Sequence, residues 1–116
     1  MLTTSDVLDR HLKSFYEKDL DGVVADYSPE AMLFIPGNLL RGPAAIKPFF
    51  KAFFLEFAKP GASFSMQQRT VESDYAYILW SAETEDNTYE GATDTFFVRN
   101  GKIVVQSFAA KIKPKR

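Results

Sequence analysis

At 116 residues, 46% of them hydrophobic and 25% charged, the chain has the size and composition of one domain, residues 1–116. Its net charge of −1 gives no basis for nucleic-acid binding, and the lack of Cys excludes disulfides, a thiolate nucleophile and a structural zinc site. No apolar run approaches the ~20 residues of a membrane span and no signal-peptide pattern opens the chain, so we expect a cytoplasmic protein without membrane contact.

The first half of the chain predicts helices. Thr4 or Ser5 can cap the first helix, and Asp19 can cap a second, short one that ends at Ser28-Pro29, because a residue before proline avoids the α region. The apolar residues that recur at helical spacing in these two segments are Val7, Leu8, Leu12 and Phe15, and then Leu20, Val23, Val24 and Tyr27.

A short buried strand is predicted at 31–35, closed by Pro36-Gly37. The third helix opens at Pro43, a position that proline tolerates, and Lys59-Pro60-Gly61 ends it. Pro48 falls inside the helical pattern and is predicted to kink it. The wide apolar face of this helix comprises Ile46, Phe49, Phe50, Phe53, Phe54 and Phe57.

From residue 63 onward the apolar period changes from 3.6 to 2, which predicts four strands at 63–72, 75–85, 88–99 and 102–112. Asn100-Gly101 is the strongest hairpin signal in the chain. Helices followed by hairpin-linked strands indicate an α+β fold with the helices on one face of an antiparallel sheet.

Three segments carry a family resemblance: DLDGVV at 19–24, RGPAAI at 41–46, and DTFFV at 94–98 leading into NGKI at 100–103. In order and spacing they resemble the nuclear transport factor 2-like superfamily, and within it the SnoaL-like and ketosteroid isomerase branch. The resemblance implies a cone-shaped, curved antiparallel β-sheet that is packed against three N-terminal helices and encloses a pocket. It does not fix a function, because the superfamily holds isomerases, cyclases, epoxide hydrolases and non-catalytic binders.

The isomerase pattern carries over only in part. The resemblance places His11 where that family has its oxyanion tyrosine, Ile35 where it has its general base, and Asp94 where it has a second, protonated acid. Its two supporting tyrosines correspond to Tyr27 and Phe50. With the base missing, steroid isomerisation by that mechanism is disfavoured, whereas a cyclase that uses a pocket carboxylate remains open.

Asp94 and His11 are the candidate catalytic residues. Asp94 shares a strand face with Phe96 and Val98, so its carboxyl group should lie among apolar atoms, where burial raises the pKa and prepares the group as an acid or base. The alternative is a carboxylate hydrogen-bonded at a bulge or sheet edge. His11, the sole histidine, faces inward on the first helix; it is either the proton-transfer partner of Asp94 or a satisfied core residue.

Gln106 shares a face of the last strand with Val104 and Phe108. This face lines the pocket in the resembling proteins, which implies that the Gln106 amide can donate to Asp94 or to a ligand. Phe97 and Tyr77 lie on the opposite face, which in the resembling fold often pairs two subunits, so the resemblance implies a homodimer interface there. The complete set of predicted ligand-binding residues is Gln106, Tyr27, Trp80, Phe50, Phe96 and Phe108.

Two functions with a ligand pocket therefore stay open, and a purely structural partner module is a third alternative. One is a cofactor-independent cyclase, isomerase or hydrolase that uses Asp94 as its acid or base. The other is a non-catalytic small-molecule-binding or dimeric accessory domain. Both imply an apolar ligand of steroid or aromatic-polyketide size, and neither calls for a metal or a cofactor.

Overall fold

In the computed structural model, which describes residues 2–115, three helices cover one face of a six-stranded sheet. The elements in chain order are α1 (Thr4–Tyr16), α2 (Leu20–Ala25), β1 (Tyr27–Ile35), β2 (Asn38–Arg41), α3 (Pro43–Phe57), β3 (Ser63–Glu72), β4 (Tyr75–Glu83), β5 (Asn87–Arg99) and β6 (Lys102–Pro114). The predicted α+β class, the three helices and the four C-terminal strands are confirmed.

The sheet has the strand order β2-β1-β6-β5-β4-β3 and is mixed, which corrects the antiparallel prediction at one pair. β1 runs parallel to β6, and all other neighbours are antiparallel. The parallel pair is possible because β1 and β6 are joined by a long crossover that contains α3 and four strands. Register shifts interrupt every pairing except β1–β2, and such bulges bend a sheet around the helices.

The start of β1 differs from the prediction. The helical pattern stops at Ala25, and Tyr27 lies in the strand, not in the helix. The N–H of Ile103 donates to the carbonyl of Asp26 at 2.8 Å, so pairing with β6 begins as soon as α2 ends. The chain then turns at Gly37, where φ is +79°, and forms β2, a strand that the sequence did not predict.

The N-terminal ends of α1 and α2 follow the capping rules. α1 begins one residue before the prediction, at a capping box in which Thr3 and Asp6 each bond the other's backbone N–H. Asp19 caps α2 as predicted. α3 continues through Pro48 as one helix, with that proline on its exposed side. Among residues 2–115, no helix is long and apolar enough to cross a membrane.

The alternation along β5 points Ala92, Asp94, Phe96 and Val98 towards the helices, as predicted. β6 departs from a plain alternation, because one extra residue, Val104, lies between the pairs Phe97–Val105 and Val98–Ile103. Val104 is therefore not the inward neighbour of Gln106 that was expected. The inward residues of β6 are Ile103, Gln106 and Phe108.

The outer face of the sheet is free of charged residues at its centre. Phe97 is half-buried there because it packs on Tyr75, 5.0 Å between ring centroids, and lies under the Arg99 guanidinium at 4.9 Å. Two rungs cross the three central strands, Tyr77–Thr95–Ser107 and Leu79–Thr93–Ala109. We propose that this neutral face pairs two copies of the chain, since a self-complementary patch suits a two-fold axis.

Thr95→Arg places a charge at the centre of that face and should convert a dimer to a monomer while the helical circular dichroism is kept. Light scattering at micromolar concentration measures the mass. Ala52→Arg is the control, because it adds the same charge at an exposed position of α3. A wild-type chain that is already monomeric would contradict the proposal.

Candidate functional site

A small cavity lies between α1, α3 and the inner face of the sheet, and the Asp94 carboxyl is one of the polar groups that line it. Its volume is about 40 Å³. The lining combines a few polar side chains with many aromatic ones: His11, Leu12, Phe15, Phe49, Phe50, Phe53, Phe64, Ile78, Trp80, Asp94, Phe96, Gln106 and Phe108.

Asp94 is 6% exposed and is held from both neighbouring strands. The indole Nε1–H of Trp80 on β4 donates to Oδ2 at 2.9 Å, and the amide Nε2–H of Gln106 on β6 donates to Oδ1 at 2.8 Å. Burial raises the pKa of Asp94, and these two hydrogen bonds and the nearby His11 act in the opposite direction. The carboxyl group is therefore oriented by fixed donors while its charged form remains poorly solvated.

A chain of polar side chains leads from Asp94 across the core. The Tyr27 hydroxyl donates to Gln106 Oε1, and the same hydroxyl lies 3.5 Å from His11 Nε2. His11 Nδ1 lies 3.0 Å from Asp26 Oδ2. Burial raises the pKa of Tyr27 well above its usual range, and the carboxyl groups of Asp94 and Asp26 raise it further. Tyr27 therefore acts in this chain as a neutral hydroxyl.

Asp26 belongs to this series of hydrogen-bonded side chains, and the sequence did not lead us to predict it. It is 1% exposed, and its other carboxyl oxygen accepts from Arg10 Nε at 2.7 Å. Arg10 also donates from Nη2 to the Gly101 carbonyl oxygen, which ties α1 to the β5–β6 turn. The sequence did contain an indication of this role. The helix dipole disfavours an Asp at the C-terminal end of a helix, so Asp26, the C-cap of α2, could have been expected to need a cationic partner.

The structure brings the predicted site residues together, but His11 and Asp94 are not directly hydrogen-bonded to each other, contrary to the prediction. Asp94, His11 and Gln106 all line the cavity, and Tyr27 lies behind it with its hydroxyl in the chain. The direct meeting of His11 with Asp94 is not found among the hydrogen bonds of residues 2–115; Tyr27 and Gln106 stand between them. The predicted aromatic residues Trp80, Phe50, Phe96 and Phe108 form the walls.

Four half-buried phenylalanines surround the mouth of the cavity: Phe15, Phe49, Phe53 and Phe64. Phe53 lies at the centre of this rim, with ring centroids 5.1 Å from Phe49 and 6.3 Å from Phe15. Because ligand pockets commonly enclose ~300–1,000 Å³, the cavity of about 40 Å³ does not hold the steroid-sized ligand that the sequence suggested. Any ligand of more than a few atoms must displace rim side chains.

A second polar cluster, which is part-buried, anchors α3 to the sheet. The Glu56 carboxylate accepts from Thr84, Asn87 and Tyr89, at 2.6 to 3.1 Å. Burial and the adjacent Glu56 raise the pKa of Tyr89, whose ring packs on Trp80 at the cavity wall. Within the described part of the chain, no group of three or more His, Cys, Asp or Glu side chains is arranged to hold a metal ion.

Comparisons with known proteins agree with this fold. A family model described as "SnoaL-like domain" matches residues 8–106. An NTF2-like protein of unknown function from Mesorhizobium loti is similar over 93% of this chain and 90% of that one, with 20% identity and a TM-score of 0.78. A candidate polyketide cyclase from Sinorhizobium meliloti is 20% identical over 89% and 93% of the chains, with a TM-score of 0.70.

The epoxide hydrolase/cyclase-like enzyme SalBIII, described as acting in pyran ring formation in the polyether salinomycin, is 16% identical, with coverage of 93% and 90% and a TM-score of 0.78. At these identities the three structures show a shared fold. No curated protein sequence matches the chain significantly.

Asp94→Asn should stabilise the protein at neutral pH and lose that advantage in acid. The raised pKa of Asp94 means that its contribution to stability is fully present below the unfolded value of about 3.9 and is lost as pH rises through the folded value. Urea unfolding of both proteins from pH 4 to pH 8 measures the difference. Asp74→Asn, at an exposed turn position, is the control. A difference that does not change with pH would contradict the buried, raised carboxyl.

Phe53→Ala should open the cavity, because it removes the ring at the centre of the rim. We expect a loss of about 2 kcal/mol in the free energy of unfolding, below the usual cost of a fully buried Phe, together with new binding of benzene-sized apolar probes. Leu55→Ala is the control on the exposed side of the same helix. Equal probe binding by both variants would show that Phe53 does not close the mouth.

Proposed function

Since this chain belongs to the SnoaL-like domain family, we propose that it is an acid–base enzyme of the isomerase, cyclase or hydrolase type that acts on a small apolar molecule. The observation that carries the proposal is the buried Asp94 carboxyl, which faces a cavity and is fixed by donors from two strands. A carboxyl group with a raised pKa at such a position is suited to proton transfer near neutral pH.

We infer the class of substrate from the side chains that line the cavity. Phe50, Phe96, Phe108 and Trp80 offer apolar and aromatic surface, whereas the polar atoms converge on the Asp94 end. A compact cyclic molecule with one reactive oxygen function, such as a ketone or an epoxide, matches this division. Its apolar ring would lie among the phenylalanines, and the bond adjacent to the oxygen function would face the carboxyl group.

The chemistry needs one proton to move in each direction. Ionised Asp94 would take a proton from the carbon next to a carbonyl, and the electron pair would move to the carbonyl oxygen. The same proton, now on Asp94, would return to a carbon of the enolate and restore the carboxylate. Trp80 and Gln106 would keep the carboxyl group in place through both steps.

Displacement of the rim would precede binding. Phe15, Phe49 and Phe53 are half-buried and lie on the two helices that flank the mouth. Rotation of half-buried aromatic side chains costs less than movement of the sheet, whose strands carry the donors for Asp94. We therefore assign substrate access to the rim and catalysis to the strands.

A non-catalytic binding domain is the second candidate. It is favoured by Ile35, an apolar residue at the strand position where the resembling isomerases place their general base. In that case Asp94 and Gln106 would only orient a polar group of the ligand, and no proton would be transferred.

Proton exchange in D₂O separates the two candidates. Wild-type protein, Asp94→Asn and the exposed control Asp74→Asn are incubated with cyclohexanone and cyclohexenone, and loss of the α-proton signals is followed by ¹H NMR. An acid–base role predicts that Asp94→Asn lowers the catalysed exchange roughly 10²–10⁴-fold, whereas Asp74→Asn leaves it unchanged. Binding of both ketones, seen as thermal stabilisation, without catalysed exchange in wild type favours the binding domain. Stabilisation by charged metabolites alone would contradict both.

A further inference from the structure

The hydrogen bonds between Arg10 and Asp94 form a chain whose far end is fixed. The Arg10 guanidinium can only donate, and it donates to Asp26 Oδ1 at 2.7 Å. The ion pair with Arg10 stabilises the carboxylate form of Asp26. A carboxylate only accepts, so its other oxygen, 3.0 Å from His11 Nδ1, faces a proton on that nitrogen. The remaining freedom in the imidazole ring is whether Nε2 carries a proton.

The Asp94 end of this series of hydrogen bonds determines whether His11 Nε2 faces a donor or an acceptor. An ionised Asp94 only accepts, so the Gln106 amide turns its NH₂ group to Asp94 and its oxygen to Tyr27. The Tyr27 hydroxyl gives its one proton to that oxygen and presents a lone pair to His11 Nε2, 3.5 Å away. A lone pair at this position favours a protonated Nε2, that is, a charged His11.

Protonation of Asp94 reverses the hydrogen bonds that link Asp94, Gln106, Tyr27 and His11 Nε2, whereas the Arg10–Asp26 end is unchanged. A protonated carboxyl group can donate to the Gln106 oxygen once the amide makes a half-turn, which exchanges two atoms of similar size. The amide NH₂ group then donates to the Tyr27 oxygen, and the Tyr27 proton points to His11 Nε2. Because Nε2 must now accept, this arrangement requires a neutral His11.

We propose that Tyr27 and Gln106 are positioning residues that couple the protonation of His11 to that of Asp94. Asp94 is then a base when His11 is charged and an acid when His11 is neutral. No proton passes through the amide: Asp94 gains its proton from the ligand, and the Nε2 proton of His11 leaves to bulk solvent. The consequence for catalysis rests on the proposed function, whereas the coupling itself needs no turnover.

The surroundings of His11 leave few other charges to set its protonation. Arg10 on its own helix and Asp26 at the end of α2 form one fixed pair, and Tyr27 on β1 is neutral. Asp94 on β5 is the remaining titrating group that faces the ring. The uncharged rings of Phe50 and Phe96 also pack against it, with centroids 5.9 and 5.8 Å away.

His11 is the only histidine, so ¹⁵N labelling of histidine gives the signals of one imidazole ring. Its Nδ1 and Nε2 shifts are followed from pH 4 to pH 9 in wild type, Asp94→Asn, Gln106→Met and the double variant. Coupling through the chain predicts that Asp94→Asn lowers the proton affinity of His11 roughly tenfold, in the usual range for coupled sites. In the Gln106→Met background, the same substitution should have less than a third of that effect.

An equal effect of Asp94→Asn in both backgrounds would mean that charge acts directly through space, and it would overturn the proposal. The absence of any effect in wild type would overturn it as well. Gln67→Met, at an exposed position of β3, is the matched control and should leave the Asp94→Asn effect intact. If Gln106→Met does not fold, Tyr27→Phe breaks the same chain at its next member. Because no substrate is used, this result is independent of the ketone-exchange experiment.

Discussion

The burial of one carboxyl group constrains the rest of this structure. Asp94 is placed among aromatic side chains, where an ionised group without partners would cost several kcal/mol. Two donors offset that cost, and they come from the strands on either side: Trp80 on β4, which pairs with Ala92, and Gln106 on β6, which pairs with Phe96. Each donor therefore sits one step diagonally from Asp94 on the inner face of the sheet.

This arrangement makes the strand register part of the site. A slip of one residue would turn Asp94 to the outer face and separate it from both donors. The irregularities next to Trp80 in β4 and at Val104 in β6 keep these residues inward although the strands bend. Among residues 2–115, every buried side-chain polar atom has a hydrogen-bond partner. The sheet thus supplies an oriented carboxyl group, and the half-buried phenylalanines of α1 and α3 are the side chains that we propose to move when a ligand binds.

Much of the fold could be predicted because it rests on local patterns. The helical spacing, the cap at Asp19, the hairpin at Asn100-Gly101 and the alternation along β5 each leave a direct trace in the sequence. The parallel β1–β6 pair and the short strand β2 could not be predicted in this way. They depend on which segments meet across the core, and residues 27–30 carry no alternation that marks them as a strand.

The residues of the candidate site could be predicted from the sequence, but the hydrogen bonds between them could not. Asp94 and Gln106 were found because strand periodicity assigns side chains to faces. The separation of His11 from Asp94 by Tyr27 was not, since it depends on side-chain lengths and on the competing carboxylate of Asp26. The cavity volume could not be predicted from the sequence either. The same phenylalanines that can line a large pocket pack together here and leave a cavity of about 40 Å³.

The account depends most on the state of the Asp94 carboxyl group, which can be measured directly. The ¹³Cγ shift of Asp94, assigned by comparison with Asp94→Asn, reports its ionisation as pH is varied in the folded protein. We predict a midpoint clearly above the ordinary aspartate value of about 3.9. A midpoint at or below that value would mean that the donors outweigh burial, and that Asp94 is a permanently ionised structural group, not an acid or base.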